Sequence, residues 1–585
     1  MNEIRLFGKS LIRENKVNYS ELNDLAIKVG YIVHPSCSNQ NVFDFLKTQE
    51  INYNSTFYKT WNDVTSKNRL EILITQLIHY STTYGTNFEG EAYIPNNEPT
   101  LVDFTTYKFI LPISNKECFE RCEKILFSGI ALKQDTIEMI LELFTELKHT
   151  VDIDKVKNKE AKMFLYKELK QYPSDPIEMV RYLVYNTTGN TLLIKDSSTI
   201  NKIKNGTHYN FVNDVENFGY EKLSEVFFRF KPIFLAFRTS KKNNTCINKL
   251  RKLADKNHKP LESGYFESLL SSSEIDLNLT ELKYKLNNLN NFKKINLLQS
   301  INIRLKELNI RCFGIRNGKL FIKEERLLYN KRHLLTLYST IYQSLIESLK
   351  SKTCSISIPN NINITLPTSE KSFIGNYPIG TSFDFSETNN IIGIHWKETD
   401  GASDLDLSLN SVDGKKYGWN SHYYNENNSI IFSGDMTSAR PEAVELFYTS
   451  KNFNPSLVNV NLYRGSDKSK FKFFIANEKI DSIYKNYMVN PNNIVFTVDL
   501  EMDSKEKSLG VITENKFILA QFRTGKGRIS GDSITNKYTD YSLSTLDCFL
   551  DLKTVLTDAG FSFVSENAEI DLKNISKDSL ISLFN

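Results

Sequence analysis

The segment from Trp396 to Lys415 has the clearest potential for chemistry, because acidic and hydroxyl side chains dominate it. Asp404 and Asp406 alternate with leucines, so on a β-strand both carboxylates lie on one face, about 7 Å apart. Two such carboxylates raise each other's pKa unless a cation or hydrogen bonds compensate. A hard cation with several oxygen ligands is the simplest compensation, and Ca²⁺ tolerates irregular geometry best.

Further oxygen donors lie close by in the sequence, at Asp400, Ser408 and Asp435. The pattern therefore predicts a calcium site centred on Asp404 and Asp406. Two other interpretations stay open. The carboxylates are either a solvated strand face, or the centre of an enzyme such as a metal-dependent phosphoesterase.

An ordered series of short motifs surrounds these carboxylates: Trp396, Asp404-Leu-Asp406-Leu-Ser408, Asp413-Gly414-Lys415, Tyr424-Asn425 and Ser433-Gly434-Asp435-Met-Thr437. In this order they resemble TerD-type domains of the tellurium-resistance and stress-response family, which are calcium-binding β-sandwiches of bacteria and their phages. The resemblance covers roughly residues 365–500 and implies that Asp404, Asp406 and Asp435 are metal ligands. That family usually continues with an acidic run, whereas here Met436 to Glu445 follows, which leaves Glu442 and Glu445 as substitute ligands.

A second metal site of another class fits part of the same segment. Asp406-Leu-Ser408-Leu-Asn410 is similar to the Asp-x-Ser-x-Ser element of von Willebrand A domains, which bind magnesium. A helical region beside such a module is faintly similar to the Ro-type RNA-binding proteins. An A domain needs long helices between its strands, and residues 390–530 supply too few of them.

Two kinds of hydrophobic periodicity indicate an α+β multidomain chain. Residues 1 to about 350 have mainly helical spacing, typical of an irregular helical array or an α-solenoid. From about residue 351, short alternating runs separated by turn residues predict a β-sandwich. We therefore expect three domains: an N-terminal helical subdomain over 1–110, a basic helical domain over 111–350 and the TerD-like β-sandwich over 355–585.

Two local signals in the helical region are specific enough to predict boundaries. Asp175-Pro176-Ile177-Glu178 predicts a capped helix start, and that helix should stop near Thr187-Thr188-Gly189. Asn317-Gly318, between two alternating apolar runs, predicts a β-hairpin over 311–323.

The charge is distributed unevenly along the 585 residues. The first 359 carry a net charge of +11, and residues 360–585 carry −7. Basic residues are most frequent in Lys231–Lys259 and Lys283–Arg332, which suggests either a solvated surface or a face that binds RNA or DNA. The candidate nucleic-acid contacts are Lys241, Lys242, Lys249, Arg251, Lys252, Lys256, Lys293, Lys294 and Arg304.

Several function classes are disfavoured by the sequence. No apolar run is long enough to span a bilayer, and the seven cysteines form no CxxC pair, which suggests a reduced, cytoplasmic chain without a membrane partner. No HExxH, GxSxG or P-loop motif is present. We expect a non-catalytic nucleic-acid-associated protein of a stress or phage system, whose TerD-like sandwich binds Ca²⁺ or a protein partner. The alternative is an assembly protein whose oppositely charged halves pair between subunits.

Overall fold

The structure is a computed structural model of the chain. It describes residues 1–51, 57–58, 60–83, 103–191, 197–206, 210–262, 264–271, 277–314, 320–324, 329–398, 402–439, 442–465, 468–484, 488–502, 504–520, 541, 543–573 and 575–585. No helix in these ranges is long and apolar enough to cross a membrane.

Helices prevail up to residue 350 and strands prevail after it. The helices are α1 Asn2–Phe7, α2 Tyr19–Lys28, α3 Gln40–Gln49, α4 Trp61–Thr65, α5 Arg69–Thr83, α6 Asn115–Phe127, α7 Gln134–Glu146, α8 Lys159–Glu168, α9 Pro176–Thr188, α10 Ser197–Lys204, α11 Phe211–Phe218, α12 Tyr220–Ser224, α13 Lys231–Ala236, α14 Lys241–Asn257, α15 Tyr265–Ser271, α16 Leu279–Asn287, α17 Asn291–Leu305, α18 Lys331–Lys350, α19 Leu552–Ala559 and α20 Lys577–Phe584.

The strands before and at the domain transition are β1 Lys9–Leu11, β2 Tyr31–Val33, β3 Lys108–Ile113, β4 Ile310–Gly314, β5 Leu320–Glu324, β6 Ser355–Ser357, β7 Ile362–Asn363, β8 Phe373–Ile374 and β9 Tyr377–Pro378. Those that follow are β10 Ser382–Asp384, β11 Asn389–Trp396, β12 Asp404–Ser411, β13 Lys416–Tyr417, β14 Ile430–Phe432, β15 Ala443–Thr449, β16 Ser456–Arg464, β17 Lys470–Glu478, β18 Ile494–Glu501, β19 Glu506–Ile512, β20 Lys516–Leu519, β21 Ser562–Phe563 and β22 Ile570–Asp571. The predicted α+β class, with a mainly helical first half and a sandwich-like second half, is confirmed.

The chain forms two compact units. One contains residues 1–118 and 273–584, and the other contains residues 119–272 and Asn585. The predicted boundaries near residues 110 and 350 differ from these divisions, since the first unit joins N-terminal helices, the helices after residue 273 and the sandwich. Whether the three predicted segments fold independently stays a prediction.

Two antiparallel sheets build the sandwich of the first unit. One has the strand order β13-β12-β16-β19-β20-β10-β7, and the other has the order β14-β15-β11-β17-β18. Along β12, Leu405, Leu407 and Leu409 belong to the shared apolar core, so the intervening polar residues lie on the opposite face of the strand. This alternation fixes the register, because a slip of one residue would turn the acidic side chains into the core.

An N-terminal segment belongs to the same core. Phe57, Tyr58, Trp61, Val64 and Ile72 are buried in one cluster with the residues of both sheets. The Trp61 ring stacks on Tyr448 of β15, with 6.4 Å between ring centroids. Two main-chain hydrogen bonds fasten the segment, from Tyr58 N to Ser433 O (2.7 Å) and from Trp61 N to Ile483 O (3.1 Å). The sandwich is therefore completed by residues almost 300 positions earlier in the sequence.

The second unit is helical, and its core is rich in aromatic side chains such as Phe227 and Phe234. In it, α9 begins where the sequence predicts: the Asp175 carboxylate accepts hydrogen bonds from the amides of Ile177 and Glu178, each 2.9 Å long. The helix ends at Gly189, whose φ of 69° suits glycine.

In the first unit, β4 and β5 pair antiparallel as the predicted hairpin requires. The Asn317-Gly318 turn itself lies outside the described residues.

Candidate cation site

Three aspartates meet at one end of the sandwich. Asp404 and Asp406 come from the outward face of β12, and Asp435 comes from the loop that follows β14. Each offers one carboxylate oxygen, and these three oxygens lie within 4.8 Å of one another. All three side chains are buried, with exposed fractions of 3%, 2% and 6%. The tertiary structure thus brings together the three residues that the TerD resemblance implies, and we call them the aspartate triad.

Burial and mutual repulsion make the triad electrostatically unfavourable as a set of bare carboxylates. Burial raises the pKa of Asp406 well above its ordinary value, and the neighbouring charges of Asp435 and Asp404 raise it further. Burial, followed by the charge of Asp404, raises the pKa of Asp435 to about 8. Lys416 and a hydrogen bond from Trp419 oppose the rise at Asp406 without cancelling it.

Two oxygens of the triad lack hydrogen-bond donors. Asp406 Oδ2 and Asp435 Oδ1 are buried and accept no hydrogen bond within the described part of the chain. A buried acceptor without a partner costs about 1–3 kcal/mol, and more when the group is charged. Carboxylate oxygens are the ligands that Ca²⁺ and Mg²⁺ prefer, so the donor set fits a hard divalent cation.

Glu445, predicted as a ligand, accepts hydrogen bonds from two main-chain amides, and its role as a ligand stays a prediction. It lies on β15, its Oε2 accepts a hydrogen bond from Leu407 N (2.7 Å), and its Oε1 accepts one from Met436 N (3.0 Å). Burial, followed by the charges of Asp435 and Asp406, raises the pKa of Glu445 well above its ordinary value. Glu445 therefore ties β12 to the loop that carries Asp435, and it positions the triad from inside the sandwich.

The other predicted ligands are not part of the triad. Ser408 is buried on the same face of β12, one alternation beyond Asp406. Asp400 lies outside the described residues. Glu442, the other substitute, is engaged elsewhere, since its carboxylate contacts His395 Nε2 at 2.8 Å and Lys397 Nζ at 3.3 Å.

Helix α5, more than 300 residues earlier in the chain, contacts the loop that carries Asp435, and no motif in the sequence predicts this contact. His79 Nε2 accepts a hydrogen bond from the amide of Thr437 (3.2 Å), two residues beyond Asp435. Burial lowers the pKa of His79 to about 4, which keeps the imidazole neutral and able to accept. The Tyr80 hydroxyl lies 3.1 Å from the Tyr463 hydroxyl, so α5 is joined to β16 as well.

The predicted nucleic-acid residues lie on two helices. Lys241, Lys242, Lys249, Arg251, Lys252 and Lys256 are all exposed on α14. On α17, Lys293 is exposed and Arg304 is partly buried, with its guanidinium over the Tyr329 ring. Lys294 is buried and donates a hydrogen bond to Ser344 O at 3.1 Å, so its ammonium group faces the protein interior.

Comparison with known proteins identified no similar protein. The chain matches no family model, no curated protein and no solved structure. The geometry of the triad therefore carries the functional argument.

Proposed function

We propose that this protein binds a divalent cation, with Ca²⁺ as its ligand and without catalysis. The observation that supports this is the aspartate triad: three buried carboxylates with oxygens within 4.8 Å of one another. Asp404, Asp406 and Asp435 would hold the ion, and Glu445 would hold two of them in place. A bound Ca²⁺ would supply the positive charge that buried carboxylates require and would occupy the oxygens that lack hydrogen-bond donors.

Calorimetric titration of the full chain tests the proposal. We expect saturable Ca²⁺ binding in the roughly micromolar range of calcium sensors. Mg²⁺ should bind more weakly, because it demands near-ideal octahedral geometry. A folded chain that binds neither ion would refute the proposal. Ca²⁺-dependent hydrolysis of a phosphoester, lost in Asp406→Asn, would replace it with the phosphoesterase alternative.

The pH dependence of stability gives an independent prediction. Because the pKa of Asp435 is raised from 3.8 to about 8, the folded chain keeps a proton that the unfolded chain releases near pH 4. The calcium-free protein should therefore lose stability as the pH rises toward 8. Saturating Ca²⁺ should remove this loss, because the cation takes the place of the protons.

Thermal unfolding checks this prediction at about pH 5.5 and about pH 8. In EGTA the melting temperature should fall at the higher pH, and excess CaCl₂ should restore it. The stabilisation by Ca²⁺ should be larger at the higher pH. A Ca²⁺ effect that is the same at both values would contradict the assignment of raised pKa values to the triad.

A further inference from the structure

Helix α14 in the helical unit presents a second charged surface. The helix buries Cys246, Ile247, Leu250 and Ala254 against the core of its unit. At about 100° per residue, the lysines on its other side fall within one arc of about 100°. This arc, which we call the α14 lysine face, consists of Lys241, Lys242, Lys249, Lys252 and Lys256.

The lysine face has no internal charge compensation. None of its five ammonium groups forms an ion pair with a carboxylate in the part of the chain that the structure describes. Asp255, the one acidic residue of α14, lies outside the arc. Lys249 and Lys252 are three residues apart, and Lys252 and Lys256 are four apart, spacings at which like charges destabilise a helix. An anionic partner would relieve this repulsion.

A sixth cation lies beside the face, near the middle of the helix. Arg238 is exposed and donates a hydrogen bond from Nη2 to Asn248 Oδ1 (2.7 Å), which anchors its guanidinium beside α14. Arg251 is exposed and lies about 80° outside the arc, on the same side of the helix as Asn248. Arg238 therefore adds a cation that was not predicted beside this edge of the face.

The residue types of the α14 lysine face favour a nucleic-acid duplex over a protein or a single strand as its partner. A protein interface usually has apolar and aromatic residues at its centre, and the α14 lysine face has none. Single strands are usually held by exposed aromatic platforms, whereas the nearby Tyr220 ring is covered by Lys249 Nζ, 3.7 Å from its centroid. Lys242, Lys249 and Lys256 follow one another at roughly 10 Å intervals along the helix. A duplex offers a negative charge about every 1.7 Å of its axis, so this row can meet several phosphates.

We propose that the α14 lysine face binds the phosphate backbone of double-stranded nucleic acid, independently of base sequence. The affinity would come from the release of counterions from the duplex. Since the Ca²⁺ site plays no part in this binding, the two proposals can succeed or fail separately.

Fluorescence anisotropy with labelled duplexes tests this with the full chain. The probes are a DNA duplex and an RNA duplex of arbitrary sequence, a single strand of equal length, and a polyglutamate peptide. With about five phosphate contacts, the logarithm of the association constant should fall with the logarithm of salt concentration with a slope near −4 to −5. Tighter binding of the single strand or of polyglutamate than of both duplexes would overturn the proposal, as would no binding at all.

A charge-matched pair of triple variants locates the surface. Lys249→Glu/Lys252→Glu/Lys256→Glu should reduce the salt slope by about 3 and weaken binding by roughly two to three orders of magnitude at 0.1 M salt. Lys283→Glu/Lys285→Glu/Lys293→Glu changes the same net charge at exposed positions of α16 and α17 and should have a much smaller effect. Equal losses in both would overturn the assignment to α14.

Further controls test whether the substitutions in α14 disturb its fold. Lys249→Arg/Lys252→Arg/Lys256→Arg keeps the charge and should keep duplex binding and the salt slope. Circular dichroism and Ca²⁺ titration of the glutamate variant should match those of the unmodified chain. If the arginine variant, while folded, also loses binding, the simple phosphate-contact explanation is wrong.

Discussion

Asp406→Asn is expected to weaken Ca²⁺ binding by at least about 100-fold and to raise the stability of the calcium-free protein. The first effect follows because a ligand is lost, and even partners outside the coordination sphere typically contribute 10–100-fold to metal affinity. The second follows because the substitution removes a charge from a buried cluster of carboxylates. The asparagine amide also supplies a donor next to oxygens that now lack one.

Weaker Ca²⁺ binding together with higher stability of the calcium-free variant would distinguish a cation site from a set of carboxylates that only stabilises the fold. Melting temperature in EGTA and Ca²⁺ affinity are measured for Asp406→Asn beside the control Asp413→Asn. Asp413 lies in an exposed turn where hydrogen bonds from Ser411, Lys415 and Asn454 lower its pKa. We expect the control to bind Ca²⁺ normally and to be slightly less stable. Loss of stability in calcium-free Asp406→Asn would contradict the argument that the triad is under electrostatic strain.

Trp61→Ala is expected to destabilise the sandwich by about 3–5 kcal/mol, the usual cost of removing a large buried aromatic side chain. Trp61 is 4% exposed and stacks on both Tyr448 and Tyr484, with 5.5 Å between ring centroids for the second pair. The substitution would leave a cavity over β15, the strand that carries Glu445. We therefore also expect weaker Ca²⁺ binding.

Hydrogen exchange along β15, combined with denaturant unfolding, measures this effect. Leu73→Ala on α5 is a matched control, because Leu73 is 64% exposed and its truncation should change stability by less than about 0.5 kcal/mol. If Trp61→Ala accelerates exchange in the N-terminal segment alone, that segment does not support the sandwich and our description of the core is wrong.

Because Trp61 packs on β15, Ca²⁺ binding should be measured on the full chain. A fragment such as residues 355–585 would lack the N-terminal segment and leave the outer surface of β15 uncovered. It would also lack His79, which accepts a hydrogen bond from the loop carrying Asp435. A failure of such a fragment to bind Ca²⁺ would therefore say little about the full chain.

Local features of this protein are determined by neighbouring residues in the sequence. The alternation of aspartate and leucine along 404–409 predicts β12 and the shared face of Asp404 and Asp406, and both are present in the structure. Asp175 and Pro176 determine the start of α9, because a capping side chain and a proline ring act within one helical turn. The sandwich as a whole is predicted in the same way, from period-two runs between turn residues.

Strand β15, Ala443–Thr449, is buried over its whole length and has no clear alternation of polar and apolar residues, so a period of two does not predict it. Helix α19 begins at Leu552, where the Asp551 side chain accepts a hydrogen bond from Thr554 N at 2.7 Å.

The sequence by itself thus determined the α+β class, the acidic face of β12 and the basic character of α14. Only the tertiary structure decided that the carboxylates of Asp435, Asp404 and Asp406 are buried within 4.8 Å of one another, that Glu445 binds the amides of Leu407 and Met436, and that Trp61 covers β15. The physical reason is distance along the chain. These contacts join residues about 30 to 390 positions apart, and they form because apolar burial brings whole elements together, which no local pattern encodes.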